Sequence, residues 1–468
     1  MTTAEATPSL TLPDHADRAF LGHPKGLGYL AFTEAWERFS YYGMQTLLVL
    51  YMVKYLLLPG QVENIAAFEA FRNLPLYRGL DGQPLASAIF GTYAASVYLT
   101  PILGGFIADR VLGKRRTVLL GAITMALGHF LMAFEASFLF ALLCMVLGCG
   151  MFKGNIASQV GALYKPDDLR RADAFQIFYL GINAGVIASP LIVGTLGEKV
   201  GWHYGFGAAG VGMLIGLAIY IAGQKYLPAE HFAPQGKGNA SARPKSVMTR
   251  QDWLALVAVV VLIPVMAVAI VPNNQIFNVY LIWGDAQFDL NFFGTRLPTS
   301  FLVTLDAIVS VSFLAIVALF YRWYAKRWQE PDELTKMIIG SVFSIAGMLC
   351  LFMAASTDAS DGKIGLFWPF MFHFMNSIGF AHLLPVSLAL FARLAPQQIN
   401  ATVIGLYYLA FFGANSMVGW VGGFYETMST PAFWLMHAGF AAASGSVFLL
   451  FRLFLARRLL HAPVTVDA

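Results

Sequence analysis

Long apolar segments alternate with short polar loops over most of the chain. Each apolar segment is close to or above the ~20 residues that a helix needs to cross a bilayer. The pattern predicts an all-helical membrane protein with about twelve transmembrane helices. The predicted spans are 27–57, 86–108, 117–134, 138–164, 174–196, 204–226, 253–283, 301–321, 337–354, 364–394, 401–424 and 432–455.

The order of the spans predicts two halves of about six helices each. Between them, residues 227–250 combine prolines, glycines and charged residues, which is typical of a linker. The expected organisation is a cytoplasmic tail at 1–24, an N-terminal six-helix bundle at 25–226, a cytoplasmic linker at 227–250, a C-terminal six-helix bundle at 251–460 and a cytoplasmic tail at 461–468. Two such halves around a central cavity are the plan of major facilitator carriers.

Composition points to the same class. The chain is 58% hydrophobic and 12% charged, whereas soluble domains average about 25% charged residues. The net charge of +4 comes from basic loops and gives no reason to expect a nucleic-acid partner. The three cysteines lie in apolar runs and imply no disulfide framework. We expect no cofactor and no metal.

The distribution of basic residues predicts the orientation in the membrane. If the N-terminus is cytoplasmic, most lysines and arginines fall in cytoplasmic loops, and few are left on the outside. The outer loops then hold only Lys54, Arg72, Arg78, Lys199, Arg296 and Lys363. We therefore expect a multi-pass protein of a bacterial-type inner membrane with both termini in the cytoplasm.

The first apolar segment contains three ionisable residues, Glu34, Glu37 and Arg38. A charge at the bilayer centre costs roughly 3 kcal/mol or more, so this group must face a protein interior or a wet cavity. On a helix, Glu34, Arg38, Tyr41 and Gln45 share one face. Two interpretations remain open: the carboxylates exchange a proton during transport, or the group is a permanent ion cluster that only packs helices.

The loop after the second segment carries a glycine, an Asp-Arg pair and a second glycine followed by basic residues. This spacing resembles the cytoplasmic loop signature of the major facilitator superfamily, which implies a latch between the two halves. The alternative is an ordinary basic loop. The residues that match are Gly105, Asp109, Arg110, Gly113, Lys114 and Arg115.

Four stretches of the N-terminal half resemble the proton-dependent oligopeptide transporter family. They are Glu-x-x-Glu-Arg-Phe-x-Tyr-Tyr-Gly at 34–43, Tyr-Leu-Thr-Pro-Ile-Leu-Gly-Gly at 98–105, Gly-Met-Phe-Lys-Gly-Asn at 150–155 and Phe-Tyr-Leu-Gly-Ile-Asn-Ala-Gly at 178–185. The resemblance implies that Glu34, Glu37 and Arg38 handle the coupled proton. It also implies a substrate site in which a lysine and an arginine hold the carboxylate of the peptide. The residues of this site are Arg38, Tyr41, Tyr42, Tyr98, Lys153 and Asn183.

The C-terminal half departs from the family pattern. Asn274 and Phe380 stand where the family usually has acids in its seventh and tenth helices, and Gln45 replaces a second arginine of the first helix. Since a base and an acid are lost together, no unpaired buried charge is left. We keep Asn274 as a candidate substrate contact.

Two ionisable residues of the C-terminal half are further candidates for the substrate site. Asp306 lies ~15 Å into its predicted span, near the midplane, and His382 lies between Phe380 and Pro385. Asp306 is expected to bind the amino group of a peptide, because an ammonium that leaves water needs an anion or several acceptors. The alternatives are that Asp306 pairs internally and that His382 is a packing residue.

These observations predict a proton-coupled symporter that imports short peptides by alternating access, as a monomer in the bilayer. The alternative is a carrier of the same fold for a non-peptide or modified-peptide carboxylate solute. A membrane-embedded enzyme is a rival class, but Asp285 and Asp289, which have a metal-binding spacing, fall at the outer end of a span. A channel is disfavoured because the two-half layout is that of a carrier.

Overall fold

The computed structural model of the protein describes residues 17–165, 168–228, 248–357, 362–396 and 400–454. Most of the expected linker, most of the N-terminal tail and all of the C-terminal tail lie outside the described residues. Twelve long helices form the described part of the chain. They are α1 (Lys25–Tyr51), α2 (Gly82–Ile107), α3 (Lys114–Leu131), α4 (Phe138–Ala162), α5 (Arg170–Ser189), α6 (Trp202–Gly223), α7 (Arg250–Asn274), α8 (Phe301–Tyr324), α9 (Glu333–Ser356), α10 (Phe367–Leu394), α11 (Asn400–Gly422) and α12 (Thr430–Phe454).

The predicted all-helical membrane fold is confirmed. Among the described residues, 10 helices are long and apolar enough to cross a membrane by length and composition. The other two long helices are α1 and α3, which bring the N-terminal half to six helices. Ionisable residues interrupt the apolar sequence of α1, and α3 begins with three basic residues. Their apolar faces are nevertheless buried against neighbouring helices.

The seventh span differs from the single predicted segment. Helix α7 ends at Asn274, a turn follows at Gln275–Phe277, and a separate short helix runs over Val279–Gln287. A neighbouring helix stabilises this break: the Gln275 and Asn278 side-chain amides each donate a hydrogen bond of 3.3 Å to the Val418 carbonyl of α11.

The remaining elements are short. Single π-helical turns occupy Met52–Leu56, Ala108–Leu112, Pro190–Gly194 and Leu196–Val200. Short helical segments lie at Val62–Asn64, Phe68–Arg72, Glu135–Ser137, Gln224–Tyr226 and Gly423–Glu426, and two strands, Asn291–Phe292 and Thr295–Arg296, form a small hairpin.

Helices pack mainly within their own half. In the N-terminal half, α1 packs against α5 and α6, and α4 packs against α2 and α3. In the C-terminal half, α9 packs against α10 and α12, and α7 packs against α11 and α12. The halves meet where α2 packs on α11 and α5 packs on α8. This is the two-half arrangement of the major facilitator fold.

The α2–α11 contact is exceptionally close at one end of the bundle. A Cβ added to Gly91 would lie 2.4 Å from the Gly419 Cα, so the two backbones touch only because both residues are glycine. At the same end, Lys54 forms an ion pair of 2.8 Å with Asp285, and Glu198 accepts hydrogen bonds from backbone N–H groups of the other half. These contacts join the two halves at the end of the bundle that holds Lys54.

Candidate functional site

A cavity of about 350 Å³ lies between the two halves. Helices α1, α2 and α5 line one side of it, and α7, α8, α10 and α11 line the other. The sequence-predicted site residues on its wall are Tyr41, Tyr42, Tyr98, Asn183, Asn274 and Asp306. The fold therefore gathers residues from seven helices of both halves around one space.

The ionisable residues of α1 form a buried cluster next to this cavity. Arg38 Nε donates a hydrogen bond of 2.8 Å to Glu34 Oε1, as the one-turn spacing predicts. Glu37 Oε2 also lies 2.8 Å from Arg38 Nε, but neither Glu37 oxygen has a hydrogen-bond partner among the described residues. All three side chains are 5% exposed or less. One guanidinium thus faces two carboxylates in a poorly solvated place, so the cluster holds one more acid than base.

The two deep bases each lie against a tyrosine of the cavity wall. The Arg38 Cζ lies 5.8 Å from the centre of the Tyr41 ring, and the Lys153 Nζ lies 4.5 Å from the centre of the Tyr98 ring. Tyr98 also stacks on Phe411 of the other half, with ring centres 4.9 Å apart. Neither Arg38 nor Lys153 is part of the wall of this cavity: Arg38 is buried behind Tyr41, whereas Lys153 is partly exposed beside Tyr98.

Amide side chains of α7 lie on the C-terminal side of the cavity. Asn274 donates a hydrogen bond of 3.2 Å to Asn415 of α11, and Asn273 accepts one of 2.8 Å from Asn376 of α10. Across the cavity, Asn183 donates to the Tyr179 carbonyl of its own helix at 2.9 Å. These amides offer a substrate neutral donors and acceptors without a net charge.

Asp306 has an internal partner. Its Oδ1 lies 3.0 Å from His373 Nδ1 of α10, and His373 Nε2 lies 2.8 Å from the Tyr280 hydroxyl. The His373 side chain is fully buried, whereas 15% of the Asp306 side chain is exposed, towards the cavity. A carboxylate on the cavity wall is thus backed by an imidazole and a phenol.

The structure places His382 away from the cavity. Its Nδ1 pairs with the Ile378 carbonyl at 2.8 Å and its Nε2 with the Tyr321 hydroxyl at 3.1 Å. Both ring nitrogens are therefore occupied by partners within the C-terminal half. This arrangement supports the packing interpretation of His382 rather than a contact with substrate.

The motif after α2 adopts a π-helical turn at Ala108–Leu112 that ends at Gly113, whose φ of +80° suits glycine. Within the motif, Arg115 donates hydrogen bonds to the Leu227 and Pro228 carbonyls. The motif is thereby tied to the start of the expected linker.

Sequence reasoning missed several residues of the site. His373 and Tyr280 complete the Asp306 group, and Asn415 and Phe411 come from α11. A lone polar residue in an apolar span was the available signal for His373 and Asn415, as it was for His382. That signal does not say which helical face looks into the cavity.

Comparisons with known proteins agree with this geometry. Residues 115–249 match the sequence model of the POT family. The peptide transporter YePEPT of Yersinia enterocolitica is 30% identical to this chain over 87% of it and 89% of the relative. A di-/tripeptide transporter of Lactococcus lactis is 30% identical over 84% and 88%.

Solved structures of peptide transporters have the same fold as this chain. The crystal structure of peptide transporter POT in complex with sulfate superposes with a TM-score of 0.81 at 27% identity, covering 95% of this chain and 97% of that one. A mutant of a peptide transporter POT in complex with alafosfalin superposes with a TM-score of 0.80 at 28% identity, with the same coverage.

Proposed function

Since this chain belongs to the POT family of transporters, we propose that it imports short peptides together with protons by alternating access. The observation that carries the proposal is the buried Glu34–Arg38–Glu37 cluster, which adjoins a cavity shared by both halves. Buried ionisable groups in membrane helices are costly and serve ion or substrate pathways. Peptide transporters among its relatives and solved neighbours support peptides as the substrate class.

The proton is exchanged at the α1 cluster in this proposal. Glu34 holds the Arg38 guanidinium through a hydrogen bond, so Glu37 is the carboxylate that can take up or release a proton with the least loss of bonding. A substrate carboxylate that competes for Arg38 would leave two carboxylates with less compensating charge. Protonation of Glu37 then becomes more favourable, which couples the proton to the substrate.

The substrate lies between a basic and an acidic wall. Lys153 and Arg38, which lie against Tyr98 and Tyr41, attract the peptide carboxylate from the N-terminal half. Asp306 accepts the ammonium from the C-terminal half. Tyr42, Asn183 and Asn274 contact the peptide backbone between these two ends.

The described conformation is closed at the end that holds Lys54. From the distribution of basic residues we infer that this end is extracellular and that both termini and the linker are cytoplasmic. The Lys54–Asp285 ion pair and the Gly91–Gly419 contact would then form the outer gate. We further propose that the protein acts as a monomer, with one cavity in each chain, in a bacterial-type inner membrane.

A second candidate is a carrier for a carboxylate solute that has no free amino group. Two observations favour it: Asn274 and Phe380 stand where the family usually has acids, and Asp306 already has a partner in His373. Such a solute would still need Lys153 and Arg38, but it would not need Asp306.

Purified protein in liposomes separates the two candidates. A dipeptide and its N-acetylated form are offered under an inward proton gradient, with the wild type and with Asp306→Asn. For a peptide carrier, the gradient drives accumulation of the free dipeptide, and the variant loses affinity for the free form but keeps its affinity for the acetylated form. Equal wild-type uptake of both forms would instead establish the carboxylate carrier. Absence of gradient-driven uptake of either form would rule out a peptide symporter.

A further inference from the structure

Asp306 is the one acidic residue among the described residues that line the cavity, and no described lysine or arginine lines it. Its direct partner, His373, is fully buried and bonded on both ring nitrogens, at 3.0 Å to Asp306 and at 2.8 Å to Tyr280. The Tyr280 side chain is also fully buried. Helix α8, helix α10 and the short helix Val279–Gln287 each contribute one member of this group, which we call the Asp306 relay.

The Asp306 relay can hold a proton without losing a hydrogen bond. With a neutral ring, His373 Nδ1–H donates to the Asp306 carboxylate, and Nε2 accepts from the Tyr280 hydroxyl. When a proton binds at Nε2, both ring nitrogens donate, and the Tyr280 oxygen becomes the acceptor. The net charge of the relay changes from −1 to 0 while the same three side chains stay paired.

Other titratable side chains lie on the helices around the relay. Cys350 lies on α9, which packs against α10, and His437 of α12 reaches the relay only through Trp434, whose ring centre is 6.4 Å from that of Tyr280. Across the cavity from Asp306, the titratable residues on the wall are tyrosines of α1, α2 and α5. The charge that Asp306 presents to the cavity therefore depends on the protonation of His373.

We propose that the Asp306 relay is a second proton-binding site, at which a proton on His373 and the ammonium of a bound peptide compete for one negative charge. An ammonium beside Asp306 neutralises the carboxylate, so a proton on His373 would then leave an uncompensated buried charge. Conversely, a protonated His373 neutralises Asp306 before the peptide arrives. The proposal rests on the proposed function, in which Asp306 accepts the peptide ammonium.

This competition makes the recognition of free amino groups depend on pH. At a pH low enough for His373 to carry the proton, each bound free peptide displaces one proton. The dissociation constant of a free peptide then rises by up to about tenfold for each unit by which the pH falls. An N-acetylated peptide brings no ammonium and displaces none. A proton exchanged at Glu37 is exchanged with either ligand, so it cancels when the protons released by the free and the acetylated peptide are compared.

Calorimetric titrations of the full chain measure the protons exchanged on binding. Alanyl-alanine and N-acetyl-alanyl-alanine are titrated in two buffers of different ionisation enthalpy, over about pH 5 to pH 7, where histidine titrates and the α-amino group of the free peptide stays protonated. The wild type should release up to about one proton more for the free peptide than for the acetylated one. His373→Asn keeps an N–H donor towards Asp306 but cannot titrate, and it should abolish this difference.

Two further variants make the test specific. His437→Asn changes another fully buried histidine, which bonds to the Phe433 carbonyl instead, and it should leave the difference intact. Tyr280→Phe removes the hydroxyl partner of His373 Nε2, so it should shift the pH midpoint for free-peptide binding only. If His373→Asn does not fold, an unshifted midpoint in Tyr280→Phe overturns the proposal.

The outcomes distinguish this proposal from the proposed function. If Asp306→Asn selectively weakens free peptides while His373→Asn retains the full proton difference, the relay proposal is wrong and the binding of the ammonium by Asp306 stands. If the wild type binds both peptides alike, both ideas fail together. If the wild type binds neither peptide, the relay proposal and the proposed function are both overturned.

Discussion

Replacing Glu37 with glutamine tests whether this carboxylate binds the coupled proton. Its side chain is 0% exposed, and neither of its oxygens has a hydrogen-bond partner among the described residues. Glutamine keeps the size of the side chain and resembles the protonated acid. We expect wild-type exchange of substrate across the membrane without a gradient, together with loss of accumulation driven by a proton gradient, because the variant stays in the protonated state.

The effect of each substitution on the free energy of unfolding follows from the charge of the cluster. The cluster holds two carboxylates and one guanidinium, so Glu37→Gln removes its excess negative charge and should leave the free energy of unfolding near the wild-type value. Arg38→Gln is the contrasting change, because it removes the cation that Glu34 and Glu37 share. Breaking a buried ion pair in this way costs roughly 3–5 kcal/mol. The apparent melting temperature in detergent should therefore fall for Arg38→Gln and stay near the wild-type value for Glu37→Gln.

Counterflow and gradient-driven uptake in the same liposomes provide the assay. Glu34→Gln is the matched variant on the same helix face, one turn before Arg38, and it alters the carboxylate that carries the hydrogen bond. We expect it to lose gradient-driven uptake as well, but with a lower melting temperature than Glu37→Gln. Unchanged gradient-driven accumulation in both glutamate variants would refute the assignment of the proton site to this cluster.

Three further predictions concern the other parts of the transport site and the closed end. Lys153→Ala should weaken carboxylate substrates by about 1.5–3 kcal/mol and their amides hardly at all, in competition binding; equal losses would indicate a structural role. Gly91→Ala places a Cβ against the Gly419 backbone and should cost about 1–3 kcal/mol of packing at the closed end, which would slow uptake, whereas Gly439→Ala, with open space around it, should not. Lys54→Gln removes a partly exposed ion pair worth about 1 kcal/mol or less, so it should change uptake rates modestly, and less so at high salt.

The α1 cluster shows what the sequence could predict. The spacing of Glu34 and Arg38 places them one helical turn apart, and the structure joins them at 2.8 Å. The membrane class and the number of helices followed from segment length in the same way. These features are local: they depend on the period of one helix and the thickness of the bilayer, and both are readable from consecutive residues.

The Asp306 relay shows what the sequence could not predict. Asp306 and His373 are separated by 67 positions, and only the packing of α8 on α10 brings them to 3.0 Å. The same packing leaves His382 on another face of α10, bonded to Tyr321, although the two histidines give the same signal in the sequence. The rotation of a helix about its axis depends on its neighbours, and an apolar span gives little hint of it.

The sequence by itself determined the membrane fold, the family resemblance and the ion cluster of α1, because each depends on patterns within runs of consecutive residues. The tertiary structure decided which polar residues face the shared cavity, that Arg38 and Lys153 lie against Tyr41 and Tyr98, and which end of the bundle is closed. These properties arise where residues from distant segments meet. Their energies depend on distances between helices, which close packing of side chains sets.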